Sequence, residues 1–149
     1  MKKVVLIGII ALATVVVDEI LKYIALTKLP SQGSFVDTGW FSISLYENQG
    51  IAFSLPLAQN ITIVITVILL GVFGWMIYKH WRCHKNLASA SMLIMLGALG
   101  NFYDRLIYGF TVDYLIFFER SAINLSDILI LSGVVWLLLA NKRIKKPKN

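Results

Sequence analysis

The residues best suited to chemistry fall in one stretch, Gly97 to Asp127, which reads GALGNFYDRLIYGFTVDYLIFFERSAINLSD. Asn101, Asp104 and Arg105 lie near the end of one apolar run, Asp113 in a short aromatic connection, and Asn124 and Asp127 at the head of the next run. Ionisable groups at the mouths of membrane-length helices are expensive, so their presence points to function. Two carboxylates brought together at low dielectric cannot both ionise cheaply, and one of them keeps a proton. The ionised partner can then take a proton from water while the protonated one donates to a carbonyl oxygen. Asp113 and Asp127 are the candidate pair.

The rest of the inventory excludes other mechanisms. The only histidines, His80 and His84, flank Cys83 in a basic loop distant in sequence from this pair, so no Ser–His or Cys–His arrangement is available there. No HExxH motif and no glycine-rich phosphate loop occur. His80, Cys83 and His84 read as a solvated basic loop rather than a metal site. A single cysteine excludes an intramolecular disulfide. On the side of the chain away from that loop there remain carboxylates, amides and, within the helices, one arginine and one lysine. They suit an aspartic hydrolase acting on a peptide bond at a membrane surface; a proton or ion pathway would use the same groups, and composition and spacing leave both open.

The elements that must position these residues are membrane helices. Hydrophobic residues make up 58% of the chain and charged residues 15%, against roughly 25% charged in ordinary soluble domains. Lipid is therefore the expected solvent and partner. The net charge of +6 does not indicate nucleic acid, because the basic residues sit at helix ends rather than on one face. The sequence predicts an all-α membrane protein, one domain over 1–149, with four transmembrane helices at about 4–24, 61–78, 87–107 and 123–140. The apolar run after Lys2 and Lys3 continues past Ala13 without a polar cleavage region, so it reads as a retained first helix.

Ten of the fourteen basic residues flank one side of this four-helix path, and all eight acidic residues fall toward the other. The positive-inside rule then places both termini, and a basic tail at 141–149, in the cytoplasm. Between the first two helices, Phe41, Ile43 and Leu45 alternate with Ser42 and Ser44, as in a half-exposed strand. This predicts a small β element at about 38–56 on the outer, extracytoplasmic face.

Depth and facing agree with such a site. Lys3 to Asp18 and Asp127 to Lys142 each span fifteen residues, about 22 Å of helix, and Lys85 to Asn101 spans sixteen, about 24 Å. Three helices thus carry polar groups to one level just beneath the outer surface. Gly97, Asn101 and Asp104 share a helix face, and Gly97 and Gly100 permit close backbone approach. Asp18 and Lys22 are spaced to form a structural ion pair, Asp104 and Arg105 can snorkel at a helix end, and Asn124 can cap the helix that carries Asp127.

An ordered set of motifs spans nearly the whole chain: Asp18-Glu19-Ile20-Leu21-Lys22, Asn48-Gln49-Gly50-Ile51-Ala52-Phe53, GALGNFYDR from Gly97 to Arg105, Val112-Asp113-Tyr114, and Asn124-Leu125-Ser126-Asp127. In this the chain resembles the lipoprotein signal peptidase (signal peptidase II) family of bacterial membrane aspartic proteases. The resemblance implies Asp113 and Asp127 as the catalytic dyad and Asn48, Asn101, Arg105 and Asn124 as substrate-positioning or supporting residues. Asp18, Lys22, Gly50 and Asp104 are implied as structural. It further implies the bacterial inner membrane, no metal or cofactor, and a diacylglyceryl-modified prolipoprotein cut just before its lipidated cysteine. Two positions depart from the family pattern: Tyr114 stands where phenylalanine is usual and Ser126 where alanine is usual. Each is expected to set a hydroxyl beside the dyad.

Overall fold

The structure is a computed structural model and describes residues 2–29, 34–50, 58–118 and 120–145. Four long helices dominate it: α1 (Lys2–Lys28), α2 (Gln59–His80), α3 (Lys85–Ile107) and α4 (Leu125–Lys145). Four strands, β1 (Val36–Asp37), β2 (Phe41–Asn48), β3 (Thr111–Phe117) and β4 (Ser121–Ile123), form one antiparallel sheet in the order β1-β2-β3-β4.

The sheet is where the expectation at 38–56 needs correcting. β1 begins before that range, residues 51–56 lie outside the described residues, and half of the sheet comes from the connection between α3 and α4. The sequence presents that connection as a short aromatic link, but its backbone pairs along β2, from Phe41 opposite Phe117 to Asn48 opposite Thr111. Its entry is set by Gly109, whose φ of +85° lies in the left-handed region that glycine adopts without strain. The fourth helix begins at Leu125 rather than 123, because Ile123 is still paired in β4 opposite Leu115.

Burial in the helices is inverted relative to a water-soluble bundle. Asp18, Lys22, Ser89, Ser91, Asn101 and Asp104 are buried, while Leu6, Ile9, Ile68, Leu131 and Leu138 are exposed. Such an outer surface is stable where the surroundings are lipid. Among the described residues two helices, α1 and α2, are long and apolar enough by length and composition to cross a membrane, and residues Leu125–Asn141 of α4 form a shorter apolar helix.

The α3–α4 contact is made close by glycine. A Cβ on Gly97 would lie 2.5 Å from the Ser126 carbonyl oxygen, and one on Gly133 would lie 2.6 Å from Ile94 Cγ1 and 2.9 Å from the Ala90 carbonyl oxygen. Small residues at these crossings let two helix backbones approach where no water-driven collapse presses them together. The approach draws the head of α4 against the polar face of α3.

Candidate active site

Asp113 is carried by β3, fully buried. The adjacent strand supplies one donor: Asn48, at the end of β2, donates its Nδ2–H to Asp113 Oδ2 at 2.9 Å. Asn124 supplies the other, Nδ2 to Asp113 Oδ1 at 2.7 Å, and the same amide nitrogen lies 3.1 Å from Asn101 Oδ1 and 3.2 Å from the Val112 carbonyl oxygen. Burial first, and the negative charge of Asp127 second, push the Asp113 carboxyl up to about 7, against the opposing pull of the two amide donors.

Asp127 sits in the first turn of α4, partly exposed, where the helix dipole favours negative charge. The local sequence builds this helix start. Asn124 Oδ1 accepts from the Asp127 backbone N–H at 2.9 Å, and Asp127 Oδ2 accepts in return from the Asn124 N–H at 3.4 Å. This reciprocal cap satisfies two backbone donors with two side chains. Asn101 of α3 donates to the other oxygen, Asp127 Oδ1, at 2.7 Å. A single residue, Asn124, therefore touches both carboxylates.

Beneath the pair lies a buried ionic cluster. The Lys22 ammonium reaches Asp104 Oδ2 at 2.8 Å, Asp18 Oδ2 at 3.0 Å, Asn101 Oδ1 at 3.2 Å and Glu19 Oε1 at 3.3 Å. The Asp18–Lys22 pair anticipated from its spacing is present, but Asp104 and Arg105 do not snorkel as a pair. Asp104 turns inward to Lys22 and accepts from the Val112 N–H at 3.1 Å. Arg105 instead donates to two backbone carbonyls, Asn101 at 3.3 Å and Gly50 at 3.1 Å. Gly50 also donates its N–H to Asn48 Oδ1 at 3.0 Å, so Arg105 and Asn48 hold the same turn from two sides.

The hydroxyls of Tyr114 and Ser126 do not face the dyad as expected. Tyr114 Oη donates to Asp18 Oδ1 at 2.7 Å and Ser126 Oγ to Asp18 Oδ2 at 2.6 Å. Asp18 also accepts the backbone N–H of Leu125 at 3.0 Å and of Ser126 at 3.2 Å. Burial, then the Asp18 charge, hold the Tyr114 phenol protonated far above the usual tyrosine range. A hydroxyl aimed at a buried carboxylate is satisfied there, so both are turned toward Asp18 and away from Asp113 and Asp127. Sequence reading missed these Asp18 contacts and the part of Glu19; the i, i+3 spacing of Glu19 and Lys22 was the signal for the latter.

Among the described residues no group of three or more His, Cys, Asp or Glu is placed to hold a metal ion. The donor set suits proton transfer: two carboxylates, one buried and one at a helix start, separately braced by amides and joined through Asn124.

Fold and site together define a membrane protein with an amide-braced pair of carboxylates, one buried and one at a helix start. The comparisons agree on a narrower identity. A family model described as signal peptidase (SPase) II matches residues 10–142. A lipoprotein signal peptidase of Sulfurimonas denitrificans is 36% identical, covering 70% of each chain. One from Francisella tularensis subsp. mediasiatica is 32% identical over 93% of this chain and 92% of its own. Two solved structures described as a bacterial membrane enzyme superpose on the fold. The first has a TM-score of 0.83 at 27% identity, covering 100% of this chain and 94% of its own. The second has a TM-score of 0.80 at 25% identity, covering 99% and 96%. The chain belongs to the signal peptidase II family, a family of proteases.

Proposed function

We propose that this enzyme, which removes signal peptides from prolipoproteins, does so with Asp113 and Asp127 as an aspartic dyad. The observation that carries the reading is the position of Asn124, whose side chain donates to Asp113 and caps the helix start at Asp127. It keeps the two carboxylates in a fixed relation through amide contacts that leave proton exchange to the carboxylates themselves.

The pair shares one proton near neutral pH, and Asp113, pushed up to about 7, is its natural holder. Asp127 takes a proton from water as the water oxygen attacks the scissile carbonyl, and Asp113 donates its proton to the carbonyl oxygen. The tetrahedral intermediate collapses when its C–N bond breaks: the leaving amine takes up the proton held by Asp127, and Asp113 takes back a proton from a hydroxyl of the intermediate as the new carboxyl group forms. Asn48 and Asn101 hold the carboxylate oxygens in place, and Arg105 positions the turn at Gly50 beside the site.

In this reading all four helices cross the bacterial inner membrane, with both termini cytoplasmic and the sheet lying on the outer leaflet. The substrate is a diacylglyceryl-modified prolipoprotein cut before its lipidated cysteine. Its acyl chains remain in the outer leaflet and hold the scissile bond at the depth of the dyad, which supplies part of the orientation that catalysis needs. The test is cleavage of a diacylated lipobox peptide by the purified protein in micelles, beside an unlipidated twin. Cleavage of the lipidated peptide alone supports the reading, and equal rates on the two peptides defeat the lipid-height element. Ion flux through reconstituted vesicles without cleavage would reassign the carboxylates to a conduction pathway.

A further inference from the structure

At the end of the bundle opposite the carboxylate pair lies a second polar feature, a pocket of about 540 Å³. Lys3, Arg82, His84, Lys85 and Asn86 line it, with Ala140 at its wall. It is formed where the start of α1, the α2–α3 turn, the start of α3 and the end of α4 meet. Among the described residues no acidic side chain lines it, and the ion pairs all involve Lys22, far along α1. Lys3 is held over the Trp136 ring at 5.6 Å and donates to Asn86 Oδ1 at 3.2 Å, so one cation is already fixed at the rim. A concave cluster of cations lacking carboxylate partners, at the ends of lipid-facing helices, calls for a counter-charge from outside the chain. Headgroup phosphates lie at that level, and basic pockets between membrane helices accept them. We propose that this pocket binds the headgroup phosphate of an anionic phospholipid.

The experiment titrates phosphatidylglycerol into the protein in neutral detergent and counts bound lipid by native mass spectrometry. The intact protein should retain the lipid, and R82Q/K85Q should bind it roughly thirtyfold more weakly, at about fivefold per basic residue near the membrane surface. Removing those cations also perturbs insertion, so a second arm leaves the sequence unchanged. Cys83, exposed and on the pocket wall, is modified with a bulky neutral maleimide after purification; the plugged protein should lose the lipid while its thermal transition is kept. A third arm adds millimolar inorganic phosphate, which should not displace the lipid. Equal lipid binding by the intact and plugged proteins would overturn the proposal. So would displacement by free phosphate, which would make the pocket a soluble-anion site.

Discussion

Lys22 Nζ donates to Asn101 Oδ1 at 3.2 Å, and the same Asn101 amide donates to Asp127 Oδ1 at 2.7 Å. The buried ammonium is thus one side chain removed from a proposed catalytic carboxylate. It orients the amide so that the NH2 group, and not the carbonyl, faces Asp127. The ionic cluster and the dyad are in this sense one connected network.

The dyad assignment predicts that Asp113→Asn and Asp127→Asn each abolish cleavage while the protein remains folded in detergent. Either variant keeping near wild-type turnover would refute it.

The pH dependence follows from the Asp113 carboxyl at about 7. Catalysis needs the shared proton, so kcat/KM should fall as pH rises through about 7. For stability the sign is as follows. The folded pKa is raised, so the folded state binds the proton more tightly than the unfolded chain. This contribution is fully present below about pH 4, is lost progressively up to about 7, and is absent above. Asp113→Asn cannot ionise, so its melting temperature relative to wild type should climb across that window and level off beyond it. A constant difference from pH 4 to 8 would show that Asp113 is not the group being titrated.

Lys22→Met should destabilise the protein by roughly 3–5 kcal/mol, because it leaves Asp18 and Asp104 buried without their cation. Adding Asp104→Asn should recover part of the loss, since the amide oxygen can still accept from the Val112 N–H. Thermal unfolding in detergent reads both, and no recovery in the double variant would mean that Asp104 is not the dominant partner.

The glycine contacts separate packing from propensity. Gly97→Ala places a Cβ against the Ser126 carbonyl oxygen, and should cost about 1–3 kcal/mol and reduce cleavage by shifting the head of α4. Gly71→Ala, where nothing lies within 4 Å of the added carbon, should be neutral or gain up to about 1 kcal/mol from helix propensity. Similar melting temperatures for the two variants would contradict the close α3–α4 approach.

Arg105→Lys keeps the charge but loses the planar fork that reaches both Asn101 and Gly50 carbonyls. Losing a charged hydrogen-bond donor, about 1.5–3 kcal/mol, should lower kcat/KM roughly ten- to a hundredfold with the fold intact. An unchanged kcat/KM would confine Arg105 to a structural part.

The sequence exposes the helices and the proposed dyad for one reason: in a lipid-facing chain, apolar length and misplaced charge are both expensive and hence conspicuous. Asp113, Asp127 and Asn124 stand out on that basis. The second half of the sheet does not. Thr111 to Tyr114 are buried in succession, with no alternation to betray a strand, and the pairing with β2 joins segments more than sixty residues apart. The Lys22–Asp104 ion pair is hidden for a similar reason, because i, i+4 spacing reports contacts along a helix and none between helices. Tyr114 and Ser126 show the same limit. Their hydroxyls were placed by sequence next to the dyad, but the direction each takes depends on where α1 carries Asp18.

Asp18 accepts the backbone N–H groups of Leu125 and Ser126, so a side chain of α1 closes the exposed start of α4. Synthesis makes α1 long before α4. During the interval Asp18 has its lysine but lacks the two backbone donors, and the platform that carries Asp127 does not yet exist. With Asp127 as a proposed catalytic group, activity therefore requires the late helix to dock on the early one. A chain that still lacks α4 has no Asp127, and so cannot form the proposed dyad.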